Sequence, residues 1–161
     1  MKVGMTSGCF DLFHHSHLLF LEACRSRCDK LIVGIDSNDL VSETKGDGRP
    51  IHDEMHRFNL VNSLQVVNMA FILRHVEDLT KMARDFNVTE VYKCEVWKDR
   101  GHVFGTEYAR LIIIPDIPGM VSTTKIINRI RSGQLPILTR EYEKKVEVQE
   151  KSMPSLQATK V

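Results

Sequence analysis

Two histidines near the N-terminus, His14 and His17, stand three residues apart where the chain is predicted to pass from a strand into a helix. Residues 1–6 mix apolar and small side chains, and apolar side chains recur at helical spacing from Leu18 onward. In an α/β fold, phosphate binds where a strand end faces a helix N-terminus. The spacing therefore indicates a phosphate-binding turn, in which imidazole N–H groups could stabilise charge on phosphate oxygens.

The same histidines have two other interpretations. His14, His15 and His17 could be ordinary polar residues at the start of a helix, and spacing alone leaves this open. A zinc site on a helix usually places histidines at i and i+4 and adds a carboxylate or cysteine ligand. The nearest acid here, Asp11, precedes the histidines on the loop, and the histidines are three apart. The pattern therefore argues against zinc.

The run from Gly8 to His17 resembles the G-x-F-D-x-x-H-x-G-H element of the cytidylyltransferase-like nucleotidyltransferases. The matching residues are Gly8, Phe10, Asp11, His14 and His17. Ser16 stands where that element has a glycine between its histidines. Because glycine lets a ligand approach the backbone without a Cβ in the way, Ser16 is expected either to crowd a nucleotide or to donate a new hydrogen bond.

Two later segments match the same family in the same order. The sequence Lys-Gly-Asp-Gly-Arg-Pro at 45–50, followed by Arg57, resembles the K-G-x-x-R-P…R stretch of the adenylyltransferase branch that activates heptose phosphates. The sequence Val-Ser-Thr-Thr-Lys-Ile-Ile at 121–127 resembles the I-S-T-T-x-x-I motif at the start of the family's last helix. Three ordered motifs make the resemblance specific, and it covers residues 1–133.

The resemblance implies an enzyme that transfers a nucleoside monophosphate from ATP or CTP to a phosphorylated sugar or polyol and releases pyrophosphate. The acceptor would be of the glycerol-phosphate or heptose-phosphate type. The cytidylyltransferase branch carries an arginine shortly before its S-T-T motif, and no arginine lies between Pro115 and Ser122. Together with the segment at 45–50, this favours ATP over CTP.

The resemblance also implies roles for individual residues. The residues implied to be catalytic are His14, His17, Lys45 and Arg57. The residues implied to bind the nucleotide are Gly8, Cys9, Phe10, Asp11, Ser16, Ser122, Thr123 and Thr124. Lys45 would place a movable positive charge on the triphosphate and Arg57 would oppose it, while Arg49 could instead stabilise the loop. Mg²⁺ is expected, bound mainly through the nucleotide phosphates.

A second hypothesis is a domain that keeps this fold and some nucleotide affinity but has lost turnover, and that serves as a sensor or partner subunit. Ser16 favours this hypothesis, as does the segment at 93–98, which replaces a more acidic or glycine-containing element of the family. Trp97, in that segment, could line the acceptor pocket, stack on a base, or be a partly buried aromatic at a strand end or subunit contact.

Short apolar runs bounded by polar residues alternate with segments of helical periodicity. The predicted strands are 1–6, 30–36, 70–73, 89–93 and 110–115. Helices are predicted from about residue 15, within 37–50, at 53–66, at 76–86 with Phe86 on the buried face, and from Ser122 to about Gly133. This alternation predicts an α/β, Rossmann-like three-layer sandwich with a five-stranded parallel sheet. All three motifs fall at the carboxyl ends of strands, where such sheets bind ligands.

The composition sets the remaining expectations. The 161 residues carry a formal net charge of +1, so no overall field draws the protein to nucleic acid or to a membrane. The N-terminus lacks the apolar core of a signal peptide, which favours a cytoplasmic location, and the four cysteines fit reduced thiols there. We expect a nucleotidyltransferase domain at 1–135, a charged and partly disordered tail at 136–161, and a homodimer.

Overall fold

The computed structural model describes residues 1–116 and 121–133. Five parallel strands form one sheet in the order β3-β2-β1-β4-β5. The strands are β1 (Val3–Gly8), β2 (Lys30–Asp36), β3 (Met69–Leu73), β4 (Glu90–Cys94) and β5 (Arg110–Ile114). The helices are α1 (His15–Arg25), α2 (Asn38–Lys45), α3 (Glu54–Asn62), α4 (Asp78–Asp85) and α5 (Thr123–Arg131), and a 3₁₀ turn spans Glu95–Trp97.

Side chains that alternate along the strands form two buried cores, one on each face of the sheet. On one face, Val33 and Ile35 of β2 pack with Leu21 of α1 and Val61 of α3. On the other face, Ile32, which precedes Val33, packs with residues of β1, β3 and β4 and with α4. The sheet is therefore the middle layer of three, and the predicted fold class is confirmed.

Most predicted elements are present, with shifts at their ends. The strand at 30–36 has the predicted bounds, whereas β1 lies two residues further along than predicted. The helix predicted over 53–66 ends at Asn62. Phe86 is 41% exposed, contrary to the prediction, because α4 ends at Asp85 and Asn87 takes a φ of 51° that turns the chain.

The chain divides into two compact units, Met1–Thr123 and Thr124–Val161. The first unit holds the sheet and the first four helices, and α5 begins at its last residue. The predicted tail at 136–161 lies outside the described residues. Within the described ranges, no helix is both long enough and apolar enough to cross a bilayer.

Candidate active site

The loop between β1 and α1 is held in an unusual backbone conformation by a buried carboxylate. Phe10 and Leu12 have φ values of 52° and 44°, a left-handed region that costs free energy for residues with a Cβ. Asp11, between them, is 1% exposed. Its carboxylate accepts hydrogen bonds from the backbone N–H groups of Leu12, Ile51 and His52, each at 3.0 Å.

Arg49 completes this anchor. Its Nε donates to Oδ2 of Asp11 at 3.1 Å, and its Nη2 lies 3.0 Å from the same oxygen. Burial would raise the pKa of Asp11, but the hydrogen bonds from His52 and Ile51 and the charge of Arg49 outweigh burial and hold that pKa below its usual value. Asp11 therefore ties the β1–α1 loop to residues 49–52 as an anion, and Arg49 stabilises the loop.

The two histidines of this loop stack on each other at the start of α1. Their ring centroids are 3.9 Å apart and their planes differ by 22°. The His17 ring also lies 5.5 Å from Phe10 and 5.4 Å from Phe13, centroid to centroid. This packing fixes the His17 ring from three sides.

Burial keeps both imidazoles uncharged. It lowers the pKa of His17 to about 3, with smaller contributions from the nearby charges of His14 and Lys45. It also lowers the pKa of His14, with a contribution from His15. Within the described residues, Nδ1 of His14 is buried and has no hydrogen-bond partner. The pair can therefore offer neutral N–H donors to a ligand without carrying charge of its own.

Thr123, the first residue of α5 and the last residue of the first unit, contacts the same loop. Thr123 is buried, and its hydroxyl donates to the backbone carbonyl of Asp11 at 2.9 Å. Nε2 of His14 lies 3.5 Å from the same hydroxyl oxygen. The structure thus brings Thr123 to the histidine pair, as the motif at 121–127 predicts, while Ser122 is exposed and Thr124 is an exposed residue of the second unit.

Lys45 is the exposed last residue of α2, and its charge acts on the loop. Burial lowers the pKa of His17 and raises the pKa of Cys9 and of Asp36; the Lys45 charge adds to the first shift and opposes the other two. Gly46 and Gly48 follow it with φ values of 84° and 80°, which glycine adopts without strain. Lys45 therefore ends α2 directly before a turn that glycine makes possible.

Arg57 occupies a different environment from the one that the resemblance implies. It is 1% exposed, and its guanidinium donates to three backbone carbonyls. The acceptors are the carbonyls of Cys9 at 2.7 Å, Asp36 at 2.7 Å and His52 at 2.9 Å, with Oδ1 of Asn38 at 3.0 Å. These bonds use most of its donors on protein groups, so the geometry favours a role in positioning the loops over contact with a triphosphate.

Gly8 and Cys9 lie where β1 joins the loop. Cys9 is buried, and burial raises the pKa of its thiol, which keeps the thiol protonated and argues against a nucleophile. Its backbone carbonyl is one of the acceptors of Arg57. Gly8 is the last residue of β1, and a Cβ placed there would lie 3.4 Å from the Phe10 ring, an ordinary contact.

A family model described as cytidylyltransferase-like matches residues 5–98, more than half of the chain. The chain belongs to the cytidylyltransferase-like family. Among curated relatives, it is 30% identical over 137 residues to the bifunctional protein HldE of Rhodopseudomonas palustris strain BisB18, covering 83% of this chain and 28% of the relative. It is also 30% identical over 135 residues to the protein of that name from Bradyrhizobium diazoefficiens, covering 83% and 27%. The chain thus spans little more than a quarter of the length of these relatives.

Solved structures of low sequence identity share the fold. The lipopolysaccharide core biosynthesis protein of Thermoplasma volcanium superposes with a TM-score of 0.57 at 22% identity, covering 73% of this chain and 97% of that one. Thermotoga maritima TmcAL, solved with α-thio ATP, gives a TM-score of 0.57 at 15% identity, covering 93% and 56%. These likenesses support the fold of this member of the cytidylyltransferase-like family.

Ser16 departs from the family motif, and the structure shows where its side chain goes. Its hydroxyl donates to the backbone carbonyl of Val121 at 2.9 Å. Of the two expectations for this residue, a new hydrogen bond is the one that the structure shows. The bond joins the first turn of α1 to the segment before Thr123, which makes Ser16 part of the support of the site.

Two charged residues at this edge of the sheet were not identified as site residues from the sequence. Asp36 ends β2, and Lys93 lies in β4 and is 5% exposed. Asp36 was interpreted only as the end of a strand, and Lys93 as the end of a strand and the first residue of the segment at 93–98. A lysine inside a strand that is buried on both faces is unusual, and that is the signal by which Lys93 could have been found.

The described residues hold no group of three or more histidine, cysteine, aspartate or glutamate side chains placed to bind a metal ion. Asp11, the acid nearest the histidines, already accepts four hydrogen bonds. Its oxygens are therefore committed to protein donors, and the donor set here does not form a carboxylate cage for Mg²⁺.

Proposed function

We propose that this protein is a nucleotidyltransferase that transfers a nucleoside monophosphate from ATP or CTP to a phosphorylated sugar or polyol. The observation that carries the proposal is the stacked, neutral pair His14 and His17 at the N-terminus of α1, with Thr123 beside it. Membership of the cytidylyltransferase-like family supports this class of reaction.

In the proposed reaction, a phosphate oxygen of the acceptor attacks the α-phosphorus of the nucleotide. A new P–O bond forms, and the bond between the α-phosphorus and its bridging oxygen to the β-phosphate breaks. Pyrophosphate leaves with that electron pair. Because the attacking phosphate is already ionised, no general base and no covalent enzyme intermediate are needed. Catalysis then consists of positioning and charge stabilisation.

The residues divide this work by their location. The N–H donors of His14 and His17 and the N-terminal N–H groups of α1 would stabilise negative charge on the α-phosphate. Lys45 would add a mobile positive charge, since it is exposed and its charge acts on His17. Ser122 and Thr123 would bind the β- and γ-phosphates, with Thr123 acting through its backbone N–H because its hydroxyl donates to Asp11. Arg57 would hold the loops in place through the carbonyls that it contacts.

Mg²⁺ would neutralise charge on the phosphate oxygens of the nucleotide. We propose that the triphosphate supplies most of its ligands, because the protein carboxylate nearest the histidines is committed to Arg49 and to backbone donors.

ATP is the first nucleotide to test. No arginine lies between Pro115 and Ser122, where the cytidylyltransferase branch has one. The Thermotoga relative in fold was solved with an ATP analogue. Both observations support ATP over CTP.

The proposal is tested by following pyrophosphate release with Mg²⁺, ATP or CTP, and a panel of sugar and polyol phosphates. Release that depends on both substrates is the expected result. Nucleotide binding without release for any pair would favour the second hypothesis, a nucleotide-binding domain without turnover. Absence of both binding and release would contradict both.

A further inference from the structure

A cluster of one buried lysine and three half-buried neighbours lies at the carboxyl ends of β2, β1 and β4, and the proposed chemistry does not use it. We define the Asp36–Lys93 cluster as Asp36, Ser7, Lys93 and Trp97. Nζ of Lys93 donates to the Ser7 hydroxyl at 2.8 Å and to the Ser7 carbonyl at 3.4 Å, and it lies 4.6 Å from the centroid of the Trp97 ring. A buried ammonium is costly unless it is paired, so this arrangement calls for an explanation.

The sheet register brings the members of the cluster to one face. Ser7 pairs with Gly34 across the β1–β2 ladder. A Cβ at Gly34 would lie 3.1 Å from that of Ser7 and 3.0 Å from the Phe71 ring, so glycine lets these strands carry side chains in close contact. Asp36 is two residues beyond Gly34 and therefore lies on the same face. The cluster thus forms the rim of the sheet on the face opposite α1.

Asp36 has positively charged neighbours, and its backbone carbonyl accepts a hydrogen bond from one of them, Arg57. Burial raises the pKa of Asp36, and the charges of Lys93, Lys45 and Arg57 act in the opposite direction. In the part of the chain that the structure describes, no protein group donates a hydrogen bond to its carboxylate. Asp36 is half-buried, and an ionised carboxylate can accept hydrogen bonds at both oxygens. The carboxylate is therefore available to a donor from a ligand.

The surrounding charges restrict what that donor can be. Three neighbouring cations disfavour an amine or a metal ion at the carboxylate, and the described residues hold no group of three or more potential metal ligands. A neutral hydroxyl group meets no such repulsion. Arg57 donates to the backbone carbonyls of both Asp36 and Cys9, so the cluster lies next to the loop that carries the proposed phosphate site.

We propose that Asp36 accepts a hydrogen bond from a hydroxyl group of the phosphorylated acceptor, and that Lys93 is a positioning residue that holds Asp36 as an anion. The cluster is then the acceptor subsite, and it selects a polyol or sugar phosphate over an amino-alcohol phosphate. This inference rests on the proposed function, since it assigns the second substrate of that reaction.

Binding can be measured without turnover, because Trp97 is the single tryptophan of the chain and lies against Lys93. The full chain is titrated with glycerol 3-phosphate, ribitol 5-phosphate and mannose 1-phosphate, and with phosphocholine and phosphoethanolamine. Trp97 fluorescence and calorimetry report the dissociation constants. The expected result is at least tenfold tighter binding of one or more hydroxyl-bearing phosphates than of either amine.

Variants of Asp36 test the assignment. Asp36→Ala is expected to weaken binding of the preferred phosphate by about ten- to hundredfold, the range for a hydrogen bond to a charged group, and to leave the amines little changed. Asp36→Asn keeps the shape and one acceptor oxygen, so a smaller loss is expected, and it keeps the test usable if the alanine variant does not fold. The matched control is Asp39→Ala, an exposed acid on α2, which should change nothing.

Lys93→Met tests the positioning role. It should reproduce the loss seen in Asp36→Ala and shift the pH dependence of binding upward, because Asp36 would then ionise at higher pH. A merely structural role for Lys93 would weaken binding equally at every pH.

Equal or tighter binding of the amines, no binding by any of the five phosphates, or an unchanged preference in Asp36→Ala would each overturn the inference. Pyrophosphate release is scored separately. Selective binding without release would support the acceptor subsite and count against nucleotidyl transfer. Release without the Asp36-dependent preference would support nucleotidyl transfer and count against the acceptor subsite.

Discussion

The backbone N–H of His14 points at Nδ1 of His17 across 3.4 Å. Because Nδ1 of His17 accepts this hydrogen bond, the proton of the neutral imidazole lies on Nε2. Local backbone geometry therefore selects the tautomer, and with it the ring atom that can donate to a phosphate. The motif's spacing of three residues is what allows a single helical turn to do this.

Replacing His17 should separate catalysis from binding. His17→Ala is expected to lower kcat by about 10²- to 10³-fold, the usual effect of losing one donor to transition-state charge, and to change nucleotide affinity by less than about fivefold. Steady-state kinetics and nucleotide titration measure the two effects. His15→Ala, an exposed neighbour, is the control. Equal losses in kcat and affinity would place His17 in ground-state binding instead.

The buried His17 should also make stability depend on pH. Its pKa is about 3 in the folded protein, against 6.5 for an unperturbed histidine. Below about pH 6.5 the unfolded chain therefore takes up a proton that the folded protein does not, so the free energy of unfolding falls as pH falls from about 6.5 towards 3. Urea denaturation between pH 7 and pH 4 should show a steeper decline for the wild type than for His17→Asn. Parallel curves would mean that folding does not lower the pKa of His17.

Replacing Lys45 and replacing Arg57 should change different properties, activity for Lys45 and stability for Arg57. Arg57→Met would leave three backbone carbonyls without their donor, and we expect it to destabilise the fold by about 3 kcal/mol or more. Lys45→Met removes an exposed charge and should cost less than about 0.5 kcal/mol while lowering kcat by at least about tenfold. Thermal denaturation and kinetics distinguish the two. A stable, inactive Arg57→Met would restore the direct catalytic role that the resemblance implies.

Ser16 can be tested with two substitutions that differ by one carbon. Ser16→Ala loses the hydrogen bond to Val121, which should cost about 0.5–1.5 kcal/mol of stability and weaken nucleotide binding by loosening the segment before Thr123. Ser16→Gly should cost about 1 kcal/mol more, because glycine is unfavourable inside a helix. If only the glycine variant gained turnover, the Cβ of Ser16 would be an obstacle to the nucleotide.

The sequence predicted the sheet well because buried parallel strands have a strong local signature. The run from Lys30 to Asp36 is apolar between charged ends, and its bounds needed no tertiary information. The last turn of a helix is different, because its end depends on the conformation of the next few residues. Phe86 fits the apolar face of α4 in periodicity but lies past the end of the helix, at a turn that Asn87 makes.

The candidate site was only half predictable, for a related reason. The match to the family's motifs pointed to His14, His17 and Lys45, since each lies within a short segment that carries the match. The acceptors of Arg57 lie up to 48 residues away in sequence, so no local pattern could distinguish a catalytic arginine from a positioning one. Lys93 was missed for the same reason, because its partner Ser7 is 86 residues distant. The predicted homodimer stays a prediction.

Asp11 is supported by chain segments that are synthesised at very different times. Its carboxylate binds residues 49–52, and its backbone carbonyl binds Thr123, which is 112 residues further along. A nascent chain that has passed α3 already has the first support, but it gains the second only once Thr123 has emerged from the ribosome. Because domains are made from the N-terminus onward, both supports of Asp11 can be in place only near the end of translation of the first unit.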